Sequence, residues 1–140
     1  MSLSIRNQLP GTVADITEGA VMSTVTVTLA GGQTVTAAVT GAAVQDLGLK
    51  PGAPVEVLVK SNEVALATGD VSGLSIRNQL RGTVASVESG NAMSVARVTL
   101  DGGGELTSAI TLASVLDLQL AAGSAVTALV KSTAVALSAV

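Results

Sequence analysis

Six residues, Ser4-Ile5-Arg6-Asn7-Gln8-Leu9, recur letter for letter seventy-one positions later as Ser75-Ile76-Arg77-Asn78-Gln79-Leu80. An internal period has to be explained before any single element is assigned, so this repetition constrains the fold more than any other feature. Aligning residues 3–69 with 74–140 needs no gap, and about half of the paired positions are identical. The chain is therefore read as two units, domain 1 over residues 1–69 and domain 2 over residues 74–140. Each is near the lower size limit for folding alone, and neither has Phe, Tyr, Trp or Cys to reinforce a small core. Further oligomerisation is expected. The short seam at residues 67–73 reads as a turn between touching modules, not as a tether.

Within the first unit, residues 4–16 read as a strand bent near Pro10-Gly11, where a ladder donor is lost and a bulge is permitted. Glu18-Gly19-Ala20 is a turn, and residues 22–29 alternate Thr or Ser with Val or Leu at the period of a half-buried strand. Gly31-Gly32 closes a hairpin into residues 34–39. Thr40 is placed to cap a short helix over residues 41–47, with Gly48 as its stop. Lys50-Pro51-Gly52 then turns the chain into strands at 55–60 and 64–67. Three strands, a short helix and two strands, repeated from Ser75, is the order of an OB-fold barrel. The expected fold class is all-β: two tandem OB-fold-like five-stranded barrels, each with one short helix.

Composition narrows function by exclusion. Uncharged residues run from Gly19 to Gln45 and mean hydropathy is +0.62, but Thr, Ser, Gly and Gln interrupt the run in a strand pattern, which argues against a membrane span. The first nine residues lack a basic leader and an apolar core, so a cytoplasmic address is expected. Without His or Cys, the commonest metal ligand, the commonest acid–base group and thiol chemistry are all missing. A net charge of −3 and a pI near 4.7 argue against a general affinity for nucleic acid. Any anion must be held by a local cluster of donors.

Only seven Lys and Arg are present, and two pairs keep the seventy-one-residue offset: Arg6 with Arg77, and Lys60 with Lys131. Each Lys ends an apolar run and is followed by Ser, as Leu-Val-Lys-Ser, at Ser61 and Ser132. Such a Lys can snorkel from a barrel rim, its stem covering apolar surface while the ammonium stays wet. Alternatively, Arg, Lys and the Ser hydroxyls converge on a compact dianion, the guanidinium offering a planar fork and the hydroxyls completing the shell. Retention of both pairs, while Lys50 and Arg97 are unmatched, favours the second reading.

Ser-x-Arg-Asn-x-Leu-x-Gly at each unit's start, Gly-Ala-Val-Met-Ser (Gly-Asn-Ala-Met-Ser in the second), Ala-x-x-Thr and the closing Leu-Val-Lys-Ser together resemble the molybdate-binding Mop domain. The resemblance covers practically the whole chain, and two such domains with nothing else resemble the tandem molbindins of bacterial molybdenum homeostasis. It implies an OB-type fold assembled as a homotrimer, with molybdate or tungstate bound at subunit interfaces for storage and no organic cofactor. By motif, the implied oxyanion ligands are Ser4, Arg6, Thr40, Lys60 and Ser61, then Ser75, Arg77, Thr111, Lys131 and Ser132. Asn7 and Asn78 match as well, although an Asn beside a bend can equally bond backbone. The family also has axial anion sites near the Gly-Ala-Val turn. Here Gly90-Asn91-Ala92 departs from Gly19-Ala20-Val21, so none is assigned.

Two OB-type units could serve three other functions. Nucleic-acid binding on an OB platform needs stacking aromatics and a basic groove, and both are missing. A regulatory or adaptor module that senses the oxyanion would act through a partner, because neither a DNA-reading domain nor a phosphate-binding Gly-rich motif is evident. Catalysis is not expected: of Asp15, Glu18, Asp46 and Asp70, only Asp46 has an acidic counterpart, Asp117, and a solvated helix face explains both.

Overall fold

The computed structural model describes all 140 residues. In the first copy, β1 (Asn7–Thr17), β2 (Met22–Leu29) and β3 (Thr34–Thr40) form an antiparallel meander followed by the helix α1 (Gly41–Asp46). Then come β4 (Pro54–Val59), a 3-10 turn (Ser61–Glu63) and β5 (Ala65–Ala67). The second copy repeats this as β6 (Asn78–Ser89), β7 (Met93–Leu100), β8 (Glu105–Thr111), α2 (Leu112–Asp117), β9 (Ala125–Val130), a 3-10 turn (Ser132–Ala134) and β10 (Ala136–Ala139).

The elements form for the reasons visible in the sequence. Along β2, Ser23, Val25, Val27 and Leu29 are buried while the residues between them face outward or are half-buried, and β7 repeats this with Ser94, Ala96, Val98 and Leu100. The Thr40 and Thr111 hydroxyls each accept a bond from a backbone N–H three residues on, Ala43 and Ser114, both at 3.1 Å, and so cap α1 and α2. Past each helix the chain enters the left-handed region, at Gly48 (φ 63°) and at Gln119 (φ 52°).

Two local expectations are corrected. The first strand begins at Asn7, because Ser4 to Arg6 turn on themselves, with Arg6 Nε donating to the Ser4 carbonyl at 3.2 Å. The strand bend is a bulge between Val13 and Asp15, repeated between Val84 and Ser86, and not at Pro10-Gly11. Gly11 serves a different need: a Cβ there would lie 2.6 Å from Val27 Cγ1 and 2.8 Å from the Thr28 carbonyl oxygen, so β2 can approach only a glycine.

Both sheets have five strands, but their fifth strands are exchanged. The first sheet runs β10-β4-β1-β2-β3 and the second β5-β9-β6-β7-β8. Ala136–Ala139 pairs with β4 of the first copy, and Ala65–Ala67 pairs with β9 of the second. Each 3-10 turn sends the chain across: the first packs on β8 and the second on β3. Val64, just past the first turn, is buried, and its carbonyl accepts a 2.6 Å bond from the buried Ser108 hydroxyl on β8. The result is a single apolar cluster that runs through both copies, with Val13, Val57 and Val64 continuous with Val84, Val98 and Leu106.

The β2–β3 and β7–β8 hairpin tips meet. A Cβ on Gly31 would lie 2.6 Å from the Gly103 carbonyl oxygen, and one on Gly102 would collide with that of Gly31. Beside this contact, Gln33 Nε2 donates to the carbonyls of Arg81 (2.9 Å) and Asp101 (3.0 Å), and its Oε1 accepts from the Arg81 N–H (3.0 Å). The symmetric position holds Gly104 facing Pro10, which has no N–H to give. Because a methyl group at residue 31 must displace backbone, Gly31→Ala should lower the unfolding free energy by about 1–3 kcal/mol. Denaturant titration checks this, and an unchanged midpoint would contradict the tip-to-tip packing.

Candidate functional site

The matched cations are placed by strand register. Asn7 pairs with Val59 and Asn78 with Val130, so the preceding Arg6 and Arg77 lie beside Lys60 and Lys131 at one end of each sheet. Each Lys is also where the strand stops and the 3-10 turn starts, with Ser61 and Ser132 as the first residues of those turns. The turn solves a geometrical difficulty: neighbours on a regular strand point to opposite faces, whereas a turning backbone lets Lys and Ser address one space.

In the second copy that space is a cleft of about 260 Å³ lined by Ser75, Ile76, Arg77, Lys131, Ser132 and Thr133. Four of the residues singled out from sequence therefore converge. No carboxylate lies within 4.0 Å of Arg6, Arg77, Lys60 or Lys131; the ion pairs of the chain join Arg97 to Glu88 and Glu105. Ser132 Oγ is shielded from solvent yet has no hydrogen-bond partner within the chain. An unpaired buried hydroxyl costs about 1–3 kcal/mol, which an acceptor that reached it would recover.

Thr111 is not in this cleft but in an adjoining one of about 380 Å³ that shares Ile76 and Lys131 with it. There it stands with Ser114 and with Asn62 and Glu63 of the other copy's 3-10 turn. Its hydroxyl is within 2.8 Å of Ser114 Oγ. Thr40 holds the matching position by α1, exposed, and its hydroxyl hydrogen is not used by the cap. Asp46 and Asp117 are exposed, as a solvated helix face requires.

Asn7 and Asn78 do something else. Asn7 Nδ2 donates to the Thr107 carbonyl at 2.8 Å, and the Thr107 N–H donates to Asn7 Oδ1 at 2.7 Å. Asn78 makes the same two bonds to Thr36, at 2.9 and 2.7 Å. Both side chains are buried, at 2% and 3% exposure, so each amide joins one copy to the backbone of the other and does not face an anion. Sequence reasoning offered this as one of two roles and did not identify the partner strand.

Several residues at the site were not singled out from sequence. Ser114, Asn62 and Glu63 line the Lys131 cleft, and their counterparts Ala43, Thr133 and Ala134 differ, so a comparison of unmatched positions beside the matched ones would have found them. Ser23 is a second buried hydroxyl without a partner, at the foot of α1 near Gly41 and the Gly19–Val21 turn. Its counterpart Ser94 is bonded to Ser89 Oγ at 2.9 Å, a residue that replaces Glu18.

Comparison with known proteins adds a family. The TOBE domain matches residues 3–66 and again residues 74–137. The chain is 42% identical over 137 residues to the molybdenum transport protein ModE of Herbaspirillum seropedicae, which covers 96% of this chain and 51% of that protein. It is 37% identical over 139 residues to the molybdenum-pterin-binding protein MopA of Rhodobacter capsulatus, covering 99% of this chain and 52% of that one. The chain thus spans about half the length of these curated relatives. A crystal structure of the cytoplasmic molybdate-binding protein ModG with molybdate bound superposes with a TM-score of 0.97 at 37% identity, covering 100% of both chains.

The amide clasp makes a test of its own. Replacing Asn7 and Asn78 together by Ala leaves the N–H and C=O of Thr107 and Thr36 unpaired and should lower stability by about 2–4 kcal/mol. A loss no larger than that of the exposed Gln8→Ala, measured by the same denaturant titration, would contradict the clasp.

Proposed function

Because the chain belongs to the TOBE domain family, which occupies it twice, we propose that it binds molybdate at the clefts where the matched Arg and Lys meet Ser hydroxyls, and that it stores molybdenum inside the cell. The observation that carries this reading is the second-copy cleft. There Arg77 and Lys131, neither with a carboxylate within 4.0 Å, line one cleft with Ser75 and with Ser132, whose hydroxyl has no hydrogen-bond partner within the chain.

Molybdate is a tetrahedral dianion with four acceptor oxygens. Two cations match its charge, the guanidinium spans two oxygens, the ammonium reaches a third, and hydroxyl and backbone N–H groups complete the shell. Binding makes and breaks no covalent bond, so the role is retention without catalysis, and no organic cofactor is needed. Tungstate has the same charge and shape and is held similarly; sulfate is smaller and spans the donors less well. In the first copy the ligands are Ser4, Arg6, Lys60 and Ser61, with Thr40 and Thr111 supplying hydroxyls from the neighbouring helix ends.

The assembly is a homotrimer, as the resemblance to the Mop domain implies. Val21 (74% exposed) and Leu116 (66%), with Met22 and Met93, leave apolar surface in the water, and a small aromatic-free barrel gains by covering it. The cytoplasmic location follows that of ModG, and no helix here is long and apolar enough to cross a membrane. A second reading, an oxyanion-sensing regulatory module, is favoured by the half-length match to ModE, whose other half this chain does not span. Capture of a partner protein only in the presence of molybdate would favour that reading over storage.

Calorimetric titration tests the site. The wild type should take up molybdate at micromolar concentrations, and the double variant Arg6→Ala with Arg77→Ala should lose most of it while keeping its melting temperature, since each site loses a charge-assisted partner from an exposed position. Full stoichiometry in the double variant would refute the assignment.

A further inference from the structure

The two cation pairs are alike, but what borders them is not. The cleft that adjoins that of Ser75 and Arg77, and shares Lys131 with it, is lined by Glu63, which arrives from the first copy because the fifth strands are exchanged. Seventy-one residues on, the position that arrives beside Lys60 is Ala134. Both 3-10 turns pack in the same way, on β8 and on β3, so the frames match and the difference lies in the side chains. Glu63 and Lys131 are exposed, and neither has an opposite charge within 4.0 Å. They share one cleft as long, solvated side chains able to meet across it.

We infer that Glu63 is a built-in competitor for Lys131, making the second-copy oxyanion site weaker than the first. This rests on the reading of the clefts as molybdate sites. When the cleft holds no anion, the Glu63 carboxylate is a charge of opposite sign that shares it with the Lys131 ammonium. When a dianion enters beside Arg77 and Lys131, that attraction is lost and the carboxylate repels the newcomer. Ala134, the residue that arrives at the corresponding place beside Lys60, brings no such charge. Doubling the gene has thus produced one site that fills at low molybdate and one that fills only as the concentration rises. Glu63 touches neither Ser75 nor Arg77 in this scheme; it acts through Lys131 and sets affinity from the side.

The experiment is a molybdate titration of the intact protein at low salt. The wild type should show two classes of site in equal number. Glu63→Gln should tighten the weaker class by on the order of tenfold and draw the two together, and Ala134→Glu should weaken the tighter class by a similar factor. Both effects should shrink at high ionic strength, as a charge effect must and a packing effect need not. The inference is overturned if molybdate binds and Glu63→Gln leaves every class unmoved, or if that variant tightens the stronger class instead. A wild type that takes up no molybdate overturns the oxyanion reading itself, and this inference with it; the two failures are therefore told apart by the wild-type titration alone.

Discussion

The reciprocal amide bonds of Asn7 and Asn78 determine where the rest of the molecule can be. Each carboxamide bonds both the N–H and the C=O of a threonine on the other copy, in a buried place where an unpaired polar group is costly. Each is also the first residue of its strand, so the clasp fixes where β1 and β6 begin. The arginine one position earlier is thereby held at the sheet end, beside the lysine that closes the neighbouring strand. One pair of hydrogen bonds per copy joins the units and places the cation.

Strand exchange completes what the clasp begins. A unit of this size without aromatic side chains has little apolar area to bury, and sending its last strand into the twin merges two marginal cores into one. The crossing happens at the Lys-Ser turns, which puts the matched cations at the seam of the molecule. Exchange also brings residues 62 and 63 of one copy to the lysine of the other. Differences between copies that would be silent in separate barrels become differences between sites.

Much of this was legible in the chain itself. Duplication, the meander, the capping threonines and the Arg–Lys pairs follow from period, alternation and spacing, because each is a local property. The exchange was not legible, and the reason is symmetry: Val-Ala-Leu at residues 64–66 and at 135–137 are the same three letters, and Leu58 and Leu129 offer each of them an equivalent edge. Identical strands carry no label that says which sheet they join. Pro10-Gly11 misled for a related reason, since a glycine that admits a neighbouring strand looks the same in sequence as one that marks a bulge. Asn7 was ambiguous because its partner lies a hundred residues away.

The paired Arg and Lys, brought together at the sheet ends by clasp and exchange, are the proposed molybdate sites. Diffraction from crystals grown with molybdate, recorded at the molybdenum absorption edge, tests that assignment most directly, since the anomalous signal locates the metal without reference to any assumed ligand. Peaks are expected within hydrogen-bonding reach of the Arg77, Lys131 and Ser132 donors and of Arg6, Lys60 and Ser61. Molybdenum found only at positions remote from these residues would contradict it.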